Sequence, residues 1–115
     1  MQPIIAASSL FLKEARVRIQ LPIPEDVGLI VGRNHGSTVV DIDLNPYNGA
    51  EAGISRCHAR LFKHDNQWFI EDLNSRNGTY INAVKIVPNN SLPIHHGDKI
   101  RCGLLVFIFL IHPQG

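Results

Sequence analysis

Clusters of Gly, Pro and Asn interrupt this chain at 22–28, 32–37, 45–53, 74–78, 88–93 and 95–98. These residues favour turns, because Gly and Asn tolerate positive φ and Pro cannot continue a hydrogen-bonded ladder. Only short stretches remain between the breaks, and none holds a helical period for long, although 10–19 is helix-compatible in composition. Short segments at regular spacing between turn signals point to an all-β sandwich or barrel.

Several segments alternate as half-buried strands do. Val17, Ile19 and Leu21 fall on one face of 16–21, and Cys57, Ala59 and Leu61 on one face of 57–61. Residues 99–102 alternate too, and 67–72 holds the single Trp, as a central strand would. Leu104 to Ile111 is β-branched and aromatic-rich, which fits a strand buried on both faces or the last core strand. Weaker strand signals lie at 29–33, 39–44, 79–82 and 84–87. The polar connection 34–54 is long for a compact domain, so it is expected to be functional or to carry a small element, with 41–44 the best placed.

A chain of 115 residues with 44% hydrophobic and 18% charged residues builds one core without staples. The formal net charge of +1 gives no footprint for nonspecific nucleic-acid binding. Two cysteines, Cys57 and Cys102, make neither a disulfide framework nor a zinc spacing, and suit a reducing compartment. The longest apolar run is too short for a spanning helix, and the N-terminus lacks a basic start. The expectation is a soluble cytoplasmic protein, a monomer by default, with no cofactor, no metal, no nucleic-acid partner and no membrane contact.

Three loop motifs carry the chemistry: Gly32-Arg33; Ser55-Arg56-Cys57-His58; and Asn74-Ser75-Arg76-Asn77-Gly78-Thr79. A guanidinium fork donates two parallel hydrogen bonds to a tetrahedral oxyanion. Ser adds a short hydroxyl donor, Asn donates and accepts along a peptide backbone, and Gly permits close approach. Together they describe a loop-built pocket for a phosphorylated side chain on an extended peptide.

In this order and spacing, with Asn82 three residues after Thr79, the motifs resemble the forkhead-associated (FHA) domain, a phosphothreonine-peptide module, over about residues 15–111. The resemblance implies a two-sheet β-sandwich of about eleven strands, FHA/SMAD-like, with the binding loops at one end. It sets 1–14 apart as an N-terminal extension and 112–115 as a C-terminal tail. It implies that Arg33 contacts the phosphate or adjacent backbone and that Ser55 bonds a phosphate oxygen. Arg56 would add a polar contact, Arg76 would reach the phosphate through backbone or side chain, and Asn77 would hold the peptide main chain. Gly32, His58, Gly78, Thr79 and Asn82 would support the site. The implied partner is a threonine-phosphorylated protein, the substrate of a Ser/Thr kinase. Two departures stand out: Ala83 follows Asn82 where many members have Gly, and 34–54 is longer than usual.

Other readings explain single motifs. Arg33 alone suits a strand-end surface, His58 a structural role, and Asn77-Gly78 a type I′ hairpin turn. Asn77-Gly78-Thr79 and Asn89-Asn90-Ser91 match glycosylation sequons, which need a secretory route. A hydrolase triad of Ser55, His58 and Asp72 lacks a nucleophile elbow. A metal set of Cys57, His58, His95, His96 and Cys102 lacks ligand spacing. The main rival is a phosphate-independent interaction or oligomerisation module using the sheet faces or the 104–111 edge.

Overall fold

The computed structural model describes residues 6–22 and 28–113. Among these, eleven strands form two sheets: β1(Ala6–Leu12), β2(Val17–Leu21), β3(Leu29–Gly32), β4(Ile42–Asp43), β5(Cys57–His64), β6(Gln67–Asp72), β7(Thr79–Ile81), β8(Val84–Lys85), β9(Ser91–Ile94), β10(Lys99–Cys102) and β11(Leu105–Pro113). One sheet runs β2-β1-β11-β10-β7-β8 and the other β4-β3-β5-β6-β9. Of the sandwich and the barrel that the turn spacing leaves open, the chain forms the sandwich that the family resemblance implies. No helix among the described residues is long and apolar enough to cross a membrane.

Leu10, Leu12, Ile100, Phe107 and Phe109 face Leu29, Val31, Leu61, Trp68, Ile70 and Ile94 across the sandwich. Trp68 meets Phe109 edge-on, with centroids 5.9 Å apart. Burying an apolar side chain of this size stabilises the fold by about 1.5–3 kcal/mol, so the facing rows set the register of both sheets. Tight hairpins fix the register further. Asp65 and Asn66 both take positive φ between His64 and Gln67, and Asn82 and Ala83 do so between Ile81 and Val84. Two central residues at positive φ match the strand twist. Ala83 therefore adopts the backbone its usual Gly would, at φ 71°.

Several expectations are corrected. β1 lies inside the segment set apart as an extension, yet it pairs with β11 on one side and β2 on the other. It combines small and large residues, Ala-Ala-Ser-Ser-Leu-Phe-Leu, and Ser8 and Ser9 are both buried, so polar–apolar alternation does not mark it. The helix-compatible stretch 10–19 is the β1–β2 hairpin. β11 continues to Pro113, into the expected tail. It is a central strand between β1 and β10, not an edge. Its burial alternates: Leu105, Phe107 and Phe109 are sealed in the core, while Val106, Ile108 and Leu110 are half-buried on the outer face.

The face assigned to Cys57, Ala59 and Leu61 also breaks. Val31 pairs with Ala59, but Gly32 pairs with Cys57, so His58 is an extra residue on β5. A bulge of this kind re-aims side chains. Here it turns His58 into the core and leaves Cys57 exposed.

The 34–54 connection holds three small elements. His35 and Thr38 exchange backbone hydrogen bonds of 3.0 and 2.9 Å in a miniature hairpin. The short strand β4, within the expected 41–44, runs parallel to β3, and a 3-10 turn follows at Asn45–Tyr47. The Asp43 carboxylate accepts from the backbone N–H groups of Asn34 and Asn45, both at 3.1 Å. The Asn45 amide in turn donates to the Asn34 carbonyl at 2.8 Å.

Candidate functional site

Three loops meet at one end of the sandwich: the exit of β3, the segment leading into β5, and the 73–78 crossing between the sheets. The last runs from β6 in one sheet to β7 in the other, so Asn77-Gly78 is no hairpin turn. Between the loops lies an open cleft of about 560 Å³, lined by Arg33, Ala50, Gly53, Ile54, Ser55, Arg56, Arg76 and Asn77. The five residues expected to bind, Arg33, Ser55, Arg56, Arg76 and Asn77, all reach it.

Each is anchored by backbone. The Arg33 N–H donates to the Arg56 carbonyl at 2.9 Å, and its Nε donates to the Ile54 carbonyl at 2.7 Å. The first bond needs a bare Gly32, because a Cβ there would collide with that same Arg56 carbonyl. Ser55 Oγ accepts from the Arg76 N–H at 3.0 Å. This occupies the Arg76 backbone donor, leaving its side chain for a ligand, and leaves the Ser55 hydroxyl proton free to donate. Asn77 Nδ2 donates to the Gly53 carbonyl at 2.9 Å. Gly53, at φ 81°, leaves room for that amide, since a Cβ would overlap Nδ2. Gly53 and the Ile54 carbonyl act through backbone contacts, which leave no side-chain signature in the sequence.

Behind the cleft, His58 is fully buried and joins two loops. Its Nδ1 accepts from the Ser55 N–H at 3.0 Å, and its Nε2 pairs with the Gly78 carbonyl at 2.9 Å. An N–H can only donate and a carbonyl only accept, so the ring is neutral with its proton on Nε2. Burial holds its pKa below the ordinary 6.5, against opposing pulls from the Gly78 hydrogen bond and the Asp72 carboxylate. With both nitrogens committed to backbone, His58 is no base for the Ser55 hydroxyl.

Asp72, a member of the triad that lacks a nucleophile elbow, is instead a brace for the 73–78 segment. It is buried, and its carboxylate accepts from the Ser75 N–H (3.0 Å), Ser75 Oγ (2.5 Å) and Thr79 Oγ1 (2.7 Å). Ser75 Oγ in turn accepts from the Gly78 N–H at 2.9 Å. The available signal was the Asp-x-x-Ser spacing, a side chain capping backbone a turn ahead. Thr79 also bonds the thiol of Cys102, which burial pushes up to about 12. Gly32, His58, Gly78 and Thr79 are therefore built into the cleft wall.

Asn82 is not. It sits past the far end of β7, where Nδ2 donates to Asp98 Oδ1 at 3.0 Å and Oδ1 accepts from the Lys99 N–H at 2.9 Å. It fastens the β7–β8 turn to the 95–99 segment rather than lining the cleft. Of the alternative metal set, Cys57 is exposed and Cys102 buried. Among the described residues no three His, Cys, Asp or Glu gather as a metal group.

A second hollow of about 380 Å³ adjoins the cleft and shares Gly53 and Asn77 with it; Glu51, Ala52, Arg101, Gly103 and Leu104 complete its walls. Arg101 stacks on Tyr80 at 3.8 Å and donates to the Gly103 carbonyl at 2.7 Å. Leu104, at the β10–β11 turn, is 70% exposed.

The family model for the FHA domain matches residues 29–103. The chain belongs to the FHA family. FHA domains are binding modules. Among curated relatives, Protein FraH of Nostoc is 30% identical over 94 residues, 78% of this chain and 32% of FraH. FhaB of Mycolicibacterium smegmatis is 36% identical over 78 residues, 68% of this chain and 44% of FhaB. The chain thus spans less than half the length of either relative. A solved FHA domain, described in terms of phosphothreonine-dependent interactions, superposes with a TM-score of 0.73 and 26% identity, covering 94% of this chain and 99% of that one. EmbR of Mycobacterium tuberculosis, solved with a low-affinity phosphopeptide, gives a TM-score of 0.74 and 25% identity over 95% of this chain and 25% of EmbR.

Proposed function

We propose that this FHA domain is a non-catalytic reader of phosphothreonine on a partner protein that is a Ser/Thr kinase substrate. The observation that carries this is the convergence of Arg33, Ser55, Arg56, Arg76 and Asn77 on a cleft with no carboxylate in its lining. Arg33 and Ser55, the more enclosed pair, grip the phosphoryl group, while Arg56 and Arg76 stand exposed at the rim. Asn77, anchored through Nδ2, turns its free carbonyl oxygen toward a peptide N–H. The second hollow continues the path of the peptide beyond Asn77.

The cleft wall is preformed by His58 and Asp72, so binding costs little ordering of the protein. Two or three charge-assisted hydrogen bonds, each about 1.5–3 kcal/mol, less the cost of ordering the peptide, give micromolar affinity, about −8 kcal/mol. This suits a reversible signalling contact switched on by the partner's phosphorylation. The two unpaired thiols suit a reducing cytoplasm, and the domain acts as a monomer.

Calorimetry with phosphothreonine peptides, phosphoserine analogues and unphosphorylated controls tests this reading. Binding is expected for phosphothreonine and absent for the controls. Arg33→Ala and Ser55→Ala should each cost about 1.5–3 kcal/mol of that affinity with little loss of fold. Equal binding of plain and phosphorylated peptides would instead favour phosphate-independent docking. The feature favouring that reading is the stacked Phe62–Phe69 pair on the outer face of the five-stranded sheet, centroids 5.3 Å apart, with the Arg60 guanidinium 4.3 Å over Phe62.

A further inference from the structure

The charge in the cleft exceeds what one phosphate neutralises. Three guanidinium groups line it, and no acidic residue does. Ion pairs among the described residues join Arg60 to Glu71, His64 to Asp65 and His95 to Asp98; none takes up Arg33, Arg56 or Arg76. A phosphoryl group brings about −1.5 to −2 at neutral pH. Set against three positive charges, about +1 to +1.5 is left over. A fourth cation stands beside the same loop: the Lys85 stem crosses Gly78, with Cε 2.9 Å from where a Gly78 Cβ would lie.

The three arginines are also held differently. Arg33 is half-buried and tied through Nε to the Ile54 carbonyl, so its position is fixed. Arg56 and Arg76 are exposed, and their guanidinium groups have no hydrogen-bond or ion-pair partner among the described residues. Concentrating unneutralised cations of one sign on a rim costs self-repulsion and raises the local potential for anions. The nearest acid along this loop, Glu51, lines the second hollow on the other side of Gly53 and Asn77.

We infer that the preferred ligand is a doubly anionic motif, a phosphothreonine with a second negative group within one or two residues, and that Arg56 and Arg76 read the second charge. This rests on the phosphothreonine reading above and narrows its ligand class. The second group is either another phosphate or an Asp or Glu side chain. Both present oxygen acceptors to a guanidinium fork, and the phosphate carries more charge.

The test is calorimetry on the intact chain with a matched peptide series at low and at physiological salt. One peptide carries phosphothreonine among neutral residues. Others add a phosphoserine or a Glu one or two positions before or after it. A last one carries two Glu residues and no phosphate. The doubly anionic peptides should bind about fivefold to tenfold tighter than the singly phosphorylated one at low salt, with the gain shrinking as salt rises. A larger gain from phosphoserine than from Glu identifies a second phosphate as the source; equal gains identify net charge alone. Arg56→Gln and Arg76→Gln should pull the ratio of doubly to singly charged affinity toward one. Equal affinity across the phosphorylated series, or a ratio unmoved by either substitution, overturns this inference and leaves the phosphothreonine reading standing. Absence of binding by every phosphorylated peptide overturns both.

Discussion

Acid should destabilise this domain through His58. The ring is 0% exposed and neutral, with Nδ1 accepting from Ser55 and Nε2 donating to Gly78. Burial lowers its pKa in the folded protein from the 6.5 it has when unfolded. Above pH 6.5 neither state is protonated there and the stabilisation is complete. As pH falls below 6.5 the unfolded chain takes up a proton that the folded one refuses, so stability drops. The slope approaches about 1.4 kcal/mol per pH unit and levels off once pH passes the lowered native pKa. For a urea dependence of roughly 1–2 kcal/mol/M, that limiting slope would move the denaturation midpoint down by at most about 0.7–1.4 M per pH unit. His58→Gln removes the titrating ring. It carries a pH-independent loss of about 1–3 kcal/mol from an imperfectly replaced hydrogen bond, but its stability should be flatter between pH 6.5 and 5.5. Urea melts of both proteins at half-unit pH steps decide the matter. Parallel slopes in the two would refute the assignment of a neutral buried imidazole.

Three further substitutions probe the wall of the cleft and its distant turn. Gly53→Ala should lower stability by about 1–2 kcal/mol, because the residue sits at φ 81°. By displacing the Asn77 amide it should also weaken phosphopeptide binding severalfold, read by thermal melts and calorimetry. Ala83→Gly should raise stability by about 0.5–1 kcal/mol in urea melts by relieving φ 71°, with phosphopeptide affinity unchanged. Asp72→Ala strips the acceptor from Ser75 and Thr79 and should cost about 2–4 kcal/mol. Hydrogen exchange should then quicken at the amides of 75–78 before the rest of the sheet.

The sequence was most legible where two physical signals agreed. Turn residues and alternation together marked β2 and β10, the single Trp marked β6, and the order of Arg33, Ser55 and Asn77 marked the cleft. It was least legible where main chain decides the outcome. β1 hides because Ser8 and Ser9 are small enough to be buried in a sheet without an apolar pattern. The inward turn of His58 depends on one unpaired position opposite Gly32, and alternation counted from Leu61 places it on the wrong face. β11 looked buried on both sides, since Val106, Ile108 and Leu110 on its outer face are as apolar as its core residues. Asn82 shares the motif's spacing with the cleft residues but lies one strand-length away, and spacing along a chain does not measure that separation.

The bulge at the start of β5 has a practical corollary. It leaves the sulfur of Cys57 at the surface, one residue from Arg56, while Cys102 lies sealed in the interior with its thiol held protonated. A maleimide dye would therefore attach at a single natural position in the unaltered protein. Because Cys57 directly follows the cleft residue Arg56, the emission of such a dye offers a direct optical assay of the peptide binding proposed above.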